Sequence, residues 1–166
     1  MPRITPEITE NPLILVNGIV LLALTVLTAV FLSLYASKVY KGNKKAVLFF
    51  TVIAALTALS LFCFFGCAAT TVKGIIFCLL LAFSSYEDIK TRECENYVHL
   101  MIVIAAFIGT DMSALPGMLL SALIIGGIML TTAAVTKSSI GGADIKLSAA
   151  CAFMLGTVQG MTGLMI

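Results

Sequence analysis

Long apolar runs broken by short polar stretches set the rhythm of this chain. Leu13 to Ala36 carries no charge and ends in SKVYKGNKK, and Ala46 to Thr70 is a second unbroken run. Lys73 and Gly74 mark a turn, after which Ile75 to Tyr86 stays apolar until it meets acidic residues. Val98 to Gly109 follows, then the break TDMSALPG, then Met118 to Val135, and finally Leu147 to Ile166. A helix needs about 20 predominantly apolar residues to cross a bilayer. The third and fourth runs are short for a crossing and must borrow flanking polar residues. Barrel strands would alternate apolar and polar positions, and these runs do not. The pattern therefore predicts an all-α fold, a polytopic membrane helix bundle with about six transmembrane helices. A polar tail, MPRITPEITENP, occupies 1–12; it lacks the basic cluster of a secretory signal, and the run after it is too long for one. Residues 13–70 read as two N-terminal transmembrane helices, and no internal repeat interrupts the series.

Composition agrees with the pattern. Of 166 residues, 60% are hydrophobic and 11% charged. A domain surrounded by water could not cover that much apolar surface, so the lipid bilayer is the expected surrounding. A net charge of +2, with no basic stripe interleaved by aromatics, argues against nucleic acid as a partner. Trp is absent, which leaves Tyr and Phe to form any interfacial belt.

The basic residues fix an orientation. Lys38, Lys41, Lys44, Lys45, Lys90, Arg92, Lys137 and Lys146 fall at 37–45, 87–97 and 137–146, and only Arg3 and Lys73 fall on the other side. Basic residues gather on the cytoplasmic side of a membrane, so these three segments are expected inside and both ends of the chain outside. Cys63 and Cys67 share a helix face, but no His or carboxylate stands near them to complete a zinc site. Cys63, Cys67, Cys78 and Cys151 read as small buried hydrophobes, and Cys94 as an exposed thiol suited to a reducing side. No metal or cofactor is expected.

Two acidic stretches stand out against this background. YEDIKTRECENY, at 86–97, places Asp88 directly after an apolar run, and SIGGADIKL, at 139–147, places Asp144 at the mouth of another. The two fall on the same expected side of the membrane, separated by one helix up and one back. A carboxylate at the edge of a membrane is costly, which makes both functional candidates. Two carboxylates held a few ångströms apart share one proton, so one can activate water while the other polarises a carbonyl. That is the chemistry of aspartic proteolysis. A plainer reading stands beside it: Asp144 caps the last helix and favours its positive end, while Glu87, Asp88, Glu93 and Glu95 form a solvated loop balanced by Lys90 and Arg92.

DIKTRECEN followed by GGADIKL resembles the two signature stretches of prepilin peptidases, the GxGD-type aspartic membrane proteases that process type IV pilin precursors. In the first, Asp88, Lys90, Arg92 and Asn96 occupy the matching positions; in the second, Gly141, Gly142, Asp144, Ile145, Lys146 and Leu147 do so. Ala143 stands where the family has the second glycine of GxGD, and Cys94 and Glu95 stand where it has Ile and Pro. The resemblance implies that 71–166 is an aspartic protease core in which Asp88 and Asp144 form the catalytic dyad. It further implies an endopeptidase in the cell membrane of a prokaryote, cutting short basic leaders from pilin-like precursors with an apolar N-terminal helix. The paired CxxC motifs of the larger methylating members are absent, so methyl transfer is not implied. The alternative is a non-catalytic membrane scaffold of a pilus or secretion assembly. A transporter is disfavoured, because transporters hold their ionisable residues near the midplane.

The remaining features read quietly. Gly156 and Gly160 form a GxxxG for close helix packing, with Gly126 and Gly127 serving packing or a bend. His99 has two readings, assistance to a dyad or, more commonly for such a position, an interfacial residue bonded locally, and Lys146 reads as a side chain snorkelling to the interface.

Overall fold

The computed structural model describes residues 12–39, 44–66, 68–92, 95–136, 141–156, 158 and 162. All regular structure among them is helical. In chain order the elements are α1 (Pro12–Val39), α2 (Lys44–Phe65), α3 (Ala69–Thr91), α4 (Asn96–Ala106), a 3₁₀ turn at Met112–Ala114, α5 (Leu115–Val135) and α6 (Gly142–Leu155). Four stretches are long and apolar enough to cross a membrane: Val16–Lys38, Leu48–Phe65, Ala69–Thr91 and Met112–Val135. The chain is thus a polytopic helical membrane protein, as its apolar runs predict. The fourth helix has 11 residues and the sixth 14.

Both boundaries of α3 and both of α6 differ from the apolar pattern. Lys73 and Gly74 lie inside α3, not at a turn. The turn comes earlier, at Gly66, whose φ of 65° reverses the chain and whose carbonyl accepts the Thr71 hydroxyl at 2.6 Å. At its other end α3 runs on through Thr91, so Glu87, Asp88 and Lys90 are helical residues and not a loop. Charge ends an apolar run without ending a helix. The sixth helix starts at Gly142, ahead of its apolar part, and stops at Leu155 because Gly156 turns to φ 84°. Gly156 is therefore a helix end and not half of a packing motif; Gly160 lies outside the described residues.

The chain divides into two compact units, one ending at Lys90 and the other starting at Thr91. In the first, small side chains let α1 and α2 approach closely. Thr25, Ala29, Ser33 and Ala36 are buried on α1, and Phe50, Ala54 and Ala58 on α2, each set recurring at three- or four-residue steps. Ile75 and Leu79 of α3 join Ala29, Ala54 and Ala58 in one core. Phe50 meets Tyr86 with ring centroids 5.3 Å apart. All seven Ser and Thr hydroxyls of α1 and α2 (Thr25, Thr28, Ser33, Ser37, Thr51, Thr57 and Ser60) donate to carbonyls of their own helix.

In the second unit, Gly126 of α5 faces Ala149 of α6 so closely that an added Cβ would lie 3.2 Å from the alanine methyl, whereas Gly127 faces open space. Phe107 and Phe153 pack with centroids 5.8 Å apart, and Ile102, Ala105, Ile125 and Ala150 are buried. Large apolar side chains such as Leu27, Phe31, Leu123 and Leu130 are exposed, as a surface facing lipid requires. Cys63 is among the exposed residues and Cys78 and Cys151 are half-buried, so these thiols are less enclosed than their apolar runs predict.

Candidate functional site

Asp88 sits in the last turn of α3 and is exposed. Nine residues separate it from Leu79, about two and a half turns, which puts its carboxylate on the face opposite the core that Leu79 enters. An anion near a helix C-terminus opposes the helix dipole, so the stability of α3 gives no reason for an acid there. Its neighbour Glu87 is entirely buried, contrary to the solvated loop that the sequence suggests. Lys90 turns back one turn, with its ammonium 6.0 Å from the centre of the Tyr86 ring, an arrangement that favours the cation. Arg92 then ends the helix at φ 57°, and it is the one non-glycine residue with positive φ among the described residues. That conformation is sterically costly for a side chain with a Cβ.

The second stretch builds the start of α6. Gly141 is the N-cap, in an extended conformation and without a side-chain cap bond. Asp144 therefore does not precede the helix but lies within its first turn, where the positive end of the dipole favours its charge. Its amide donates to the Gly141 carbonyl at 3.1 Å. Its carboxylate folds back over the same glycine, since a Cβ at Gly141 would lie 3.2 Å from Oδ2. Gly142 faces open space. Ala143 is an ordinary helical residue, so nothing in its backbone conformation calls for glycine.

The flanks of the two stretches meet inside the second unit. Lys146 Nζ donates to Asn96 Oδ1 at 3.0 Å, and His99 Nε2 lies 3.2 Å from the carbonyl oxygen of Ala143. Asn96 and His99 are three residues apart on α4, as Ala143 and Lys146 are on α6, so each pair shares a helix face. The beginnings of α4 and α6 consequently lie side by side. Lys146 has a defined acceptor and does not merely seek the interface. His99 is only 8% exposed, and its bond reaches 44 positions along the chain instead of a local partner. Its spacing from Asn96, two polar residues on one face of an apolar helix, was the available signal for that role.

The sequence profile of the type IV leader peptidase family matches residues 75–166, more than half of the chain. The chain belongs to the type IV leader peptidase family. No curated protein and no solved structure matches it. Membership implies a protease with pilin precursors as its substrates. The match takes in both acidic stretches of this leader peptidase relative, along with Asn96, His99 and Lys146. Of the candidate residues, Asn96, Gly141, Gly142, Ala143, Asp144 and Lys146 gather at the paired starts of α4 and α6. Asp88 and Lys90 belong to the first unit. Among the described residues no three His, Cys, Asp or Glu side chains gather to hold a metal ion.

Proposed function

We propose that this member of the family is a membrane-embedded aspartic endopeptidase that removes the short leader of type IV pilin-like precursors at the cytoplasmic face of the prokaryotic cell membrane. Asp88 and Asp144 are its dyad, and 71–166 is its protease core. One carboxylate keeps a proton and donates it toward the scissile carbonyl; the other accepts a proton from water as the oxygen attacks. The resulting gem-diol collapses as the second carboxyl gives its proton to the leaving amine, the C–N bond breaks, and one hydroxyl of the diol returns its proton to the first carboxylate, which restores the pair's starting state. Lys90, Arg92 and Lys146 bring positive charge to the two motif stretches, and Asn96 and the glycines belong to their turns. The precursor supplies an apolar helix for the bilayer and a leader for the polar edge.

The observation that carries this reading is the Lys146–Asn96 hydrogen bond, which links the end of the first acidic stretch to the second across fifty positions. A mere helix cap at Asp144 would have no need of that link. The position of Asp88, against the dipole of its own helix, adds support.

The test is single and double replacement of the acids in purified protein, scored by leader removal. Asp88→Asn and Asp144→Asn keep size and lose the proton exchange, so each should lower cleavage by roughly a thousandfold or more. The double variant should be little worse, because residues that act as a unit are non-additive. Robust cleavage by either single variant would exclude the dyad. A folded native protein that leaves precursors intact would point instead to a scaffold.

A further inference from the structure

The peptide group between Ala143 and Asp144 is held at both ends. Its oxygen is 3.2 Å from His99 Nε2, and its amide donates to the Gly141 carbonyl at 3.1 Å. A peptide is planar, so bonds at its two ends fix the orientation of the whole plane, and the Cα of Asp144 is one of its corners. A carbonyl can only accept, so the ring must carry its hydrogen on Nε2. The ring has little room to turn: His99 is 8% exposed, and Val98 and Ile102 on the same helix are fully buried.

Helix formation alone does not call for this bond. The carbonyl of a first-turn residue already has an amide of its own helix four positions on. The imidazole adds a second donor to that oxygen, brought in from another helix. Its effect falls on where the first turn of α6 points, and hence on where Asp144 points.

We propose that His99 is a positioning residue for leader cleavage, holding the Ala143–Asp144 peptide so that the Asp144 carboxylate keeps its reactive direction. The inference rests on the proposed dyad role of Asp144. His99 does not touch the substrate; it acts through the peptide plane.

The experiment uses the full chain in liposomes and a synthetic precursor, a short basic leader joined to an apolar helix of about 20 residues. His99→Leu removes the donor and should lower kcat on the order of ten- to a hundredfold, the scale of a small misplacement of a reacting group, with KM unchanged. His99→Gln places an amide nitrogen near the Nε2 position and should recover most of that loss. His99→Asn falls one carbon–carbon bond short and should not. If the leucine variant fails to fold, the Gln and Asn pair still decides the matter. Equal impairment of Gln and Asn, or a folded His99→Leu with native kcat, would overturn the positioning role. Asp144→Asn is assayed in parallel. Native cleavage by that variant would overturn the dyad itself, whereas its inactivity beside a fully active His99→Leu would overturn the role of His99 alone.

Discussion

Lys146 donates to Asn96 at 3.0 Å, joining the second turn of α6 to the first residue of α4. Both side chains are exposed, so the bond contributes little energy while defining which helix starts are neighbours. Lys146→Ala and Asn96→Ala should each cost less than about 1 kcal/mol of stability. Their double-mutant cycle should show a coupling of about 0.5 kcal/mol, the scale of one exposed hydrogen bond. Additive losses would mean that the two side chains do not meet in solution.

The two glycines before Ala143 should respond oppositely to the same change. A methyl group on Gly141 would press on the Asp144 carboxylate at 3.2 Å, while one on Gly142 meets nothing within 4 Å. Neither position has positive φ, so strain does not confuse the comparison. Gly141→Ala should lower kcat by about tenfold or more through displacement of the acid. Gly142→Ala should leave it near the native value and raise stability slightly, because alanine favours a helix over glycine by up to about 1 kcal/mol. Equal kinetics for the two variants would show that the carboxylate does not rest over Gly141.

Glu87 and Glu95 flank the first stretch with opposite exposures. Glu87 is fully buried in α3, and Glu95 is exposed at the N-cap of α4 without making a cap bond. Glu87→Ala should destabilise by more than about 2 kcal/mol by emptying a filled space. Glu95→Ala should stay within about 0.5 kcal/mol. Denaturant unfolding of the two variants in one detergent distinguishes them, and similar small losses would contradict the burial of Glu87.

Orientation can be read from one thiol. Eight of ten basic residues fall on the side that includes 87–97, so Cys94 is expected to face the cytoplasm. In a variant retaining Cys94 alone, an impermeant maleimide should label it only after permeabilisation. Labelling in intact cells would place the proposed site on the outer face.

The long crossings were legible because hydrocarbon demands unbroken apolar runs, and α1 and α5 follow theirs closely. The third helix was misjudged at both ends, since Lys73 and the group Glu87, Asp88 and Lys90 look like punctuation. Charged residues at the edge of a bilayer can continue a helix whose apolar part lies deeper, and α3 does so. The stop at Gly156 rests on a backbone angle that a glycine permits without announcing. Asp88 and Asp144 were readable as costly acids beside hydrocarbon. Nothing local in the sequence, by contrast, pairs His99 with the carbonyl of Ala143, because that bond depends on how α4 and α6 pack.

The hydroxyls of α1 and α2 have a wider consequence. Each has spent its proton on its own helix, and neither helix carries a charge between Val16 and Ser37 or between Leu48 and Phe65. To any neighbour in the bilayer this pair is nearly mute: it offers contour and almost no vocabulary of polar contacts. Methyl-for-hydroxyl exchanges such as Thr25→Val should pass unnoticed there, while bulk added at Ala29 or Ala54 should be rejected. The chain thus separates a half that is recognised by shape from the few helix ends where recognition is spoken in protons.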